Sequence, residues 1–112
     1  MKAPMPEGQQ RRAHMRPRSA KTEARYKERR ALVARLLKAR PWCEACELLD
    51  RPGVDVVMRS TDIHEKLPRS AGGDILDESN CLAVCRGCHM YLHAHPLLAR
   101  QLGLLASRYG GA

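Results

Sequence analysis

Phenylalanine is absent from this 112-residue chain, and aromatic residues make up only 4% of it. The hydrophobic fraction of 44% still allows a core, but one without aromatic bulk is thin. A thin core in so small a domain calls for a staple. No apolar run approaches the roughly 20 residues that cross a bilayer, and the N-terminus carries no signal-peptide apolar stretch. These absences point away from a membrane or exported protein and towards a reducing cytoplasm, with one small domain expected at this length. Acidic residues are scarce at one end. Residues 1–40 hold 13 basic side chains against Glu7, Glu23 and Glu28, a net +10, whereas 41–112 hold 7 basic and 9 acidic ones, a net −2. A basic arm on a near-neutral body suits a polyanionic partner, most simply nucleic acid, although a solvated, solubilising tail carries the same charge. Acidic lipid is a poorer match, because the arm has no apolar face to enter a bilayer.

Residues 1–18 interleave Pro4, Pro6, Gly8 and Pro17 with Gln and Arg and read as a disordered basic arm. A basic helix follows over 19–40, with Ser19 or Thr22 as N-cap, Glu23 in its first turn, Lys38 and Arg40 in its last, and Pro41 blocking continuation. Leu32, Val33, Leu36 and Leu37 give it an apolar stripe. Lys21, Arg25 and Arg29, four apart, form a row suited to a phosphate backbone. Val54 to Ile63 is rich in β-branched residues and predicts a strand, Pro68 to Asp74 a loop, and Cys81 to Val84 a second short strand. A helix is expected from about Gly87 to Ala94, and a last one from Leu97 to Arg108.

Cys43-Glu-Ala-Cys46 and Cys85-Arg-Gly-Cys88 are two C-x-x-C knuckles, four thiols of the kind that close a tetrahedral structural zinc site. The 38 residues between Cys46 and Cys85 exceed an ordinary zinc ribbon, so an insertion must separate the knuckles. Disulfides fit a cytoplasm poorly, and a redox pair lacks its βαβ setting. Cys81 is odd in count and reads as a small buried hydrophobe rather than a fifth ligand. His89 and His93 share a helix face, a spacing suited to one metal ion, although surface helices carry such pairs by chance. His14 and His95 read as surface residues, and the insertion offers one more imidazole, His64.

The string D-I-H-E-K-L-P-R-S-A-G-G from Asp62, followed by S-N-C-L-A-V-C-R-G-C-H-M-Y-L-H from Ser79, resembles the HNH endonucleases of the ββα-metal fold. It is most similar to the small zinc-stapled members from bacteriophages and prophages, over roughly residues 41–95. The resemblance implies a small α+β fold, with a ββα-metal (HNH, or His-Me finger) core stapled by Cys43, Cys46, Cys85 and Cys88. Residues 41–96 would form this nuclease domain, and 97–112 a C-terminal helix and tail. Counting back from Pro68 places a metal ligand at His64 and the general base at Glu65. With His89 and His93, His64 then resembles the three-histidine site of colicin-type nucleases. Glu65 stands where a base histidine is usual, and a rival register makes His64 the base and Asp62 a ligand. Asn80 is expected to hydrogen-bond across the hairpin loop and hold the base position, and Arg69 to clamp a phosphate.

The implied reaction is metal-dependent hydrolysis of DNA phosphodiester bonds, leaving 5′-phosphate and 3′-hydroxyl ends. A single divalent ion would serve as Lewis acid, and Glu65 would orient or deprotonate water. Imidazole ligands favour Zn, Ni, Co or Mn, with Mg²⁺ comparatively poor. Phage members of this family often work beside the large terminase and portal in genome packaging, which implies a cytoplasmic protein of a bacterial host, encoded by phage or prophage; homing and restriction roles fit the resemblance as well. The competing expectation is a zinc-stapled nucleic-acid-binding module whose catalytic site has decayed, with Glu65 as its sign.

Overall fold

Ser19 opens the first ordered element: its hydroxyl accepts a hydrogen bond from the Thr22 amide at 3.1 Å and so satisfies an otherwise orphaned helix donor. In the computed structural model, which describes residues 18–107, the resulting helix α1 spans Ala20–Ala39 and stops before Pro41. The expected arm therefore lies almost wholly outside the described residues, as does the chain after Ser107. One helical turn, α2 (Cys46–Leu49), follows the first knuckle. Strands β1 (Asp62–Glu65) and β2 (Cys81–Val84) then pair antiparallel, Asp62 opposite Val84 and Glu65 opposite Cys81. Helix α3 (Arg86–Ala94) begins directly after β2, and α4 (Pro96–Gln101) after it. The molecule is thus a small α+β fold with a two-stranded sheet. Among the described residues, no helix is long and apolar enough to cross a membrane.

The two-residue period of β1 decides what each helix meets. Ile63 and Glu65 face α1: Ile63 packs on the small core of Leu32, Leu36 and Cys81, and Glu65 meets Arg29. Asp62 and His64 face α3, where they meet His89 and His93. A larger core joins the four paired cysteines to Val84, Leu92, Ala99, Leu104 and Leu105. The hairpin loop is closed by side chain as well as backbone. The Leu67 amide donates to Asn80 Oδ1 at 2.8 Å, and Asn80 Nδ2 donates to the Leu67 carbonyl at 2.9 Å. Gly73 is required there, because a Cβ would lie 1.9 Å from the Leu67 oxygen.

Two expected elements are shorter than their sequence suggests. The strand expected over Val54 to Ile63 is regular only from Asp62, with an isolated bridge between Trp42 and Arg59 ahead of it. Among the described residues, 54–58 meet no partner strand and instead wrap the first knuckle, where the Cys43 amide donates to the Met58 carbonyl at 2.8 Å. The helix expected from Leu97 to Arg108 ends at Gln101. Gly103, at φ +75°, turns the chain back so that the Leu104 amide reaches the Ala99 carbonyl at 2.8 Å.

Candidate metal centre

Four buried cysteines, Cys43, Cys46, Cys85 and Cys88, lie close enough together to hold a metal ion. Thiolates bound to one ion at about 2.3 Å form a tetrahedron with edges of roughly 3.8 Å. Cys46 Sγ lies 3.9 Å from Cys85 Sγ and 3.7 Å from Cys88 Sγ, so the sulfurs already fit that figure. Backbone amides approach the sulfurs in the manner of a knuckle: Ala45 on Cys43, Met58 on Cys46 and Cys88 on Cys85, each at 3.4 Å. Burial pushes the Cys43 and Cys88 thiols up. Cys85 is also buried, but hydrogen bonds from the Cys88 amide and neighbouring thiols outweigh this and bring it down to about 7. Four such groups shed their protons together only when a cation replaces them. Arg51 supplies further positive charge, with Nε donating to Cys88 Sγ at 3.2 Å and Nη2 reaching Cys85 Sγ at 3.7 Å. No spacing rule singles out Arg51, which reaches the sulfurs only because the knuckles fold onto each other.

On the other face of β2's helix connection, His64, His89 and His93 bring one ring nitrogen each within 4.8 Å of the others. Their ring centroids form a near-equilateral triangle of 5.5, 5.4 and 5.1 Å. Nitrogens bound to one ion at about 2.0–2.1 Å stand roughly 3.3 Å apart, a spacing within the 4.8 Å that encloses these three. Two rings are already oriented. Asp62 Oδ2 accepts from His89 Nδ1 at 2.9 Å, which leaves Nε2 for an ion. The Leu104 carbonyl accepts from His64 Nε2 at 2.6 Å, which leaves Nδ1. Asp62 is itself held by Arg86 Nε at 2.7 Å. Burial works to raise the Asp62 carboxyl, but hydrogen bonds from His89, Thr61 and Arg86 prevail and leave it below its ordinary value. Burial pushes His64 and His93 down, and the neighbouring imidazoles add to the effect. The neutral ring so favoured is the metal-binding form. The three rings grade from buried His64 to exposed His93 and sit between two clefts. One, of about 500 Å³, is lined by Asp62, Arg86, His89, Met90 and His93. The other, of about 370 Å³, includes Glu65, Arg69 and Ser70.

No family model, curated protein or solved structure matches this chain.

The remaining expected site residues fall in mixed positions. Glu65 lies next to His64 in sequence but points the other way, its Oε1 held at 3.2 Å by both Arg29 Nη2 and Arg69 Nε. Arg69 also donates to the Tyr26 hydroxyl at 3.0 Å, yet it remains half exposed at the cleft. Asn80 bridges the hairpin loop, one residue before β2. Asp62 stands behind His89 and is not one of the three converging groups.

The row Lys21, Arg25, Arg29 has mixed surroundings: Arg29 is only 8% exposed and donates to the Ile75 carbonyl at 2.8 Å, Arg25 is exposed and pairs with Asp74 at 2.9 Å, and Lys21 is exposed. Helical phase accounts for Arg29, which shares the inward face of Leu32 and Leu36. Cys81 lies apart from the tetrad, accepting from Arg29 and donating to the Asp77 carbonyl. His95 is exposed and stacks on Tyr91.

Proposed function

We propose that the protein is a metal-dependent endonuclease that hydrolyses DNA phosphodiester bonds, with a zinc ion in the cysteine tetrad as its structural staple. The observation that carries this reading is the convergence of His64, His89 and His93 beside an open cleft, two of them already oriented by acceptors on their far nitrogens. Structural metal sites are closed, whereas catalytic ones keep positions open, and this triad has an exposed side. His64, His89 and His93 would hold a divalent ion, which would supply Lewis acidity for phosphodiester hydrolysis. The chain's own residues do the rest. Asp62 keeps the His89 ring turned to the centre. Glu65, fixed by Arg29, accepts a hydrogen bond from the attacking water. Arg69, half exposed beside it, exchanges Glu65 and Tyr26 for a phosphate oxygen. Asn80 holds the loop that carries this edge. The element order β1–β2–α3, with a ligand on the first strand and two on the helix, supports a ββα-metal core and hence the HNH resemblance. On this reading the protein works in the cytoplasm of a bacterial host, in phage genome packaging beside terminase and portal, with homing and restriction as the other roles the resemblance leaves open. Solvent-facing Lys27, Arg30 and Lys38 on α1 offer backbone contacts without base reading.

One observation favours a second reading, a zinc-stapled nucleic-acid-binding module with a decayed centre: the Glu65 carboxylate is engaged by two guanidiniums. Supercoiled plasmid separates the two. Purified protein is incubated with Mn²⁺, Ni²⁺, Zn²⁺, Co²⁺, Mg²⁺ or EDTA, alongside His64→Ala, His89→Ala and Glu65→Ala. Nicking that is supported by the imidazole-preferring metals and lost in EDTA and all three variants is the expected result. DNA retardation at low salt with no cleavage in any metal overturns the nuclease. Cleavage that survives Glu65→Ala but not His64→Ala transfers the base role to His64.

A further inference from the structure

The turn that follows α4 places no side chain among the three histidines, yet it touches the centre directly. Resting on the reading of His64, His89 and His93 as a metal centre, we propose that residues 102–106 belong to it. The Leu104 carbonyl oxygen is then the positioning group that presents His64 Nδ1 to the ion. A carbonyl only accepts, so the 2.6 Å contact places the His64 proton on Nε2 and commits that nitrogen. His64 is 1% exposed, so water does not readily take over this role. The turn is pinned at both ends: the Leu104 amide donates to the Ala99 carbonyl at 2.8 Å, and the Ala106 amide to the Lys66 carbonyl at 2.8 Å, two residues past His64. Leu104 and Leu105 are buried in the core that also holds the four cysteines, which ties the turn to the rest of the domain. Gly103 sets the geometry at φ +75°, and a Cβ built on it meets nothing within 4 Å. Backbone conformation is therefore the only demand at this position. Asn adopts the left-handed region with little strain and Val does not.

The test is cobalt(II) titration of the full-length wild type, Gly103→Val and Gly103→Asn. Thiolate-to-cobalt charge transfer marks the cysteine site, and a second equivalent without that band marks the histidines. The wild type is expected to bind two equivalents. Gly103→Val should keep the thiolate-bound ion and bind the second at least about tenfold more weakly, while Gly103→Asn stays close to the wild type. In the zinc-loaded wild type, ¹⁵N spectra of the histidine rings should show His64 protonated on Nε2 and metal-bound through Nδ1. Unchanged second-site affinity in Gly103→Val overturns the proposal, and so does metal on His64 Nε2. If Gly103→Val loses both ions, the wild-type ring assignment decides: Nδ1 upholds the positioning role and Nε2 ends it. A wild type that binds only the thiolate-held equivalent overturns the metal-centre reading itself.

Discussion

The cysteine tetrad is buried at every position, whereas the histidine triad runs from 1% exposure at His64 to an open His93. Two sulfur pairs of the tetrad stand at 3.9 and 3.7 Å, the spacing of a tetrahedral site, while the imidazoles present one nitrogen each within 4.8 Å of the others. Their supports differ too. The thiols are lined by backbone amides and the Arg51 guanidinium, all donors that ease negative charge on sulfur. The imidazoles are backed by acceptors, Asp62 and the Leu104 carbonyl, which hold a proton on the far nitrogen and aim the near one. Donors around a closed site stabilise a resident ion; acceptors behind an open one prepare ligands while leaving room for a substrate.

The sharpest way to break this contrast is to remove a thiol. Cys85→Ser is expected to abolish the folded state, because binding free energy at a structural zinc site, on the order of 10 kcal/mol, is folding free energy. Loss of dispersed amide NMR signals would show it, whereas His89→Ala should leave those signals in place and remove only the second metal equivalent. A Cys85→Ser protein that stays folded would make the tetrad dispensable.

Next in size is Arg29→Ala. It leaves the Glu65 carboxylate, 12% exposed, without its buried partner, at a cost of about 3 kcal/mol in denaturant unfolding. Arg69→Ala removes the more exposed partner of the same carboxylate and should cost under about 1 kcal/mol.

Asp62→Asn probes the histidine centre alone. The amide no longer fixes the His89 ring as a carboxylate does, and affinity for the second metal should fall about 10–100-fold with the thiolate-bound ion unaffected. Equal loss at both sites would erase the distinction between them.

The smallest expected effect is on pH dependence. Burial holds His64 below its ordinary value, so above about pH 6.5 it is neutral folded or unfolded. Below that, the unfolded chain takes up a proton that the fold resists. Stability of the chain without metal at the histidines should therefore fall with acidification, by up to about 1.4 kcal/mol per pH unit. Chemical denaturation between pH 7 and 5 should show a shallower slope in His64→Asn.

Local chemistry was readable from the chain. Both knuckles declare themselves because C-x-x-C is a four-residue pattern whose geometry depends on little beyond its own turn. Ser19 and Pro41 likewise bound α1 by their own hydrogen-bonding capacity. The i,i+4 pair His89 and His93 follows from helical period, but its meeting with His64 rests on the family resemblance, since 24 residues lie between His64 and His89. The burial of Arg29 has no signature in the chain, because a basic residue can share an apolar face when a carbonyl and a carboxylate stand opposite it.

Residue types and short-range periods, then, decided which groups were available: four thiols in two knuckles, two imidazoles on one helix face, a basic first helix. Tertiary structure decided how they are aimed. The alternation of β1 sends His64 to α3 and Glu65 to α1, and the turn at Gly103 delivers the Leu104 carbonyl to His64. Folding of one knuckle onto the other brings Arg51 to sulfur. A backbone carbonyl has no signature in sequence, and a contact across forty residues exists only once the core has closed around it.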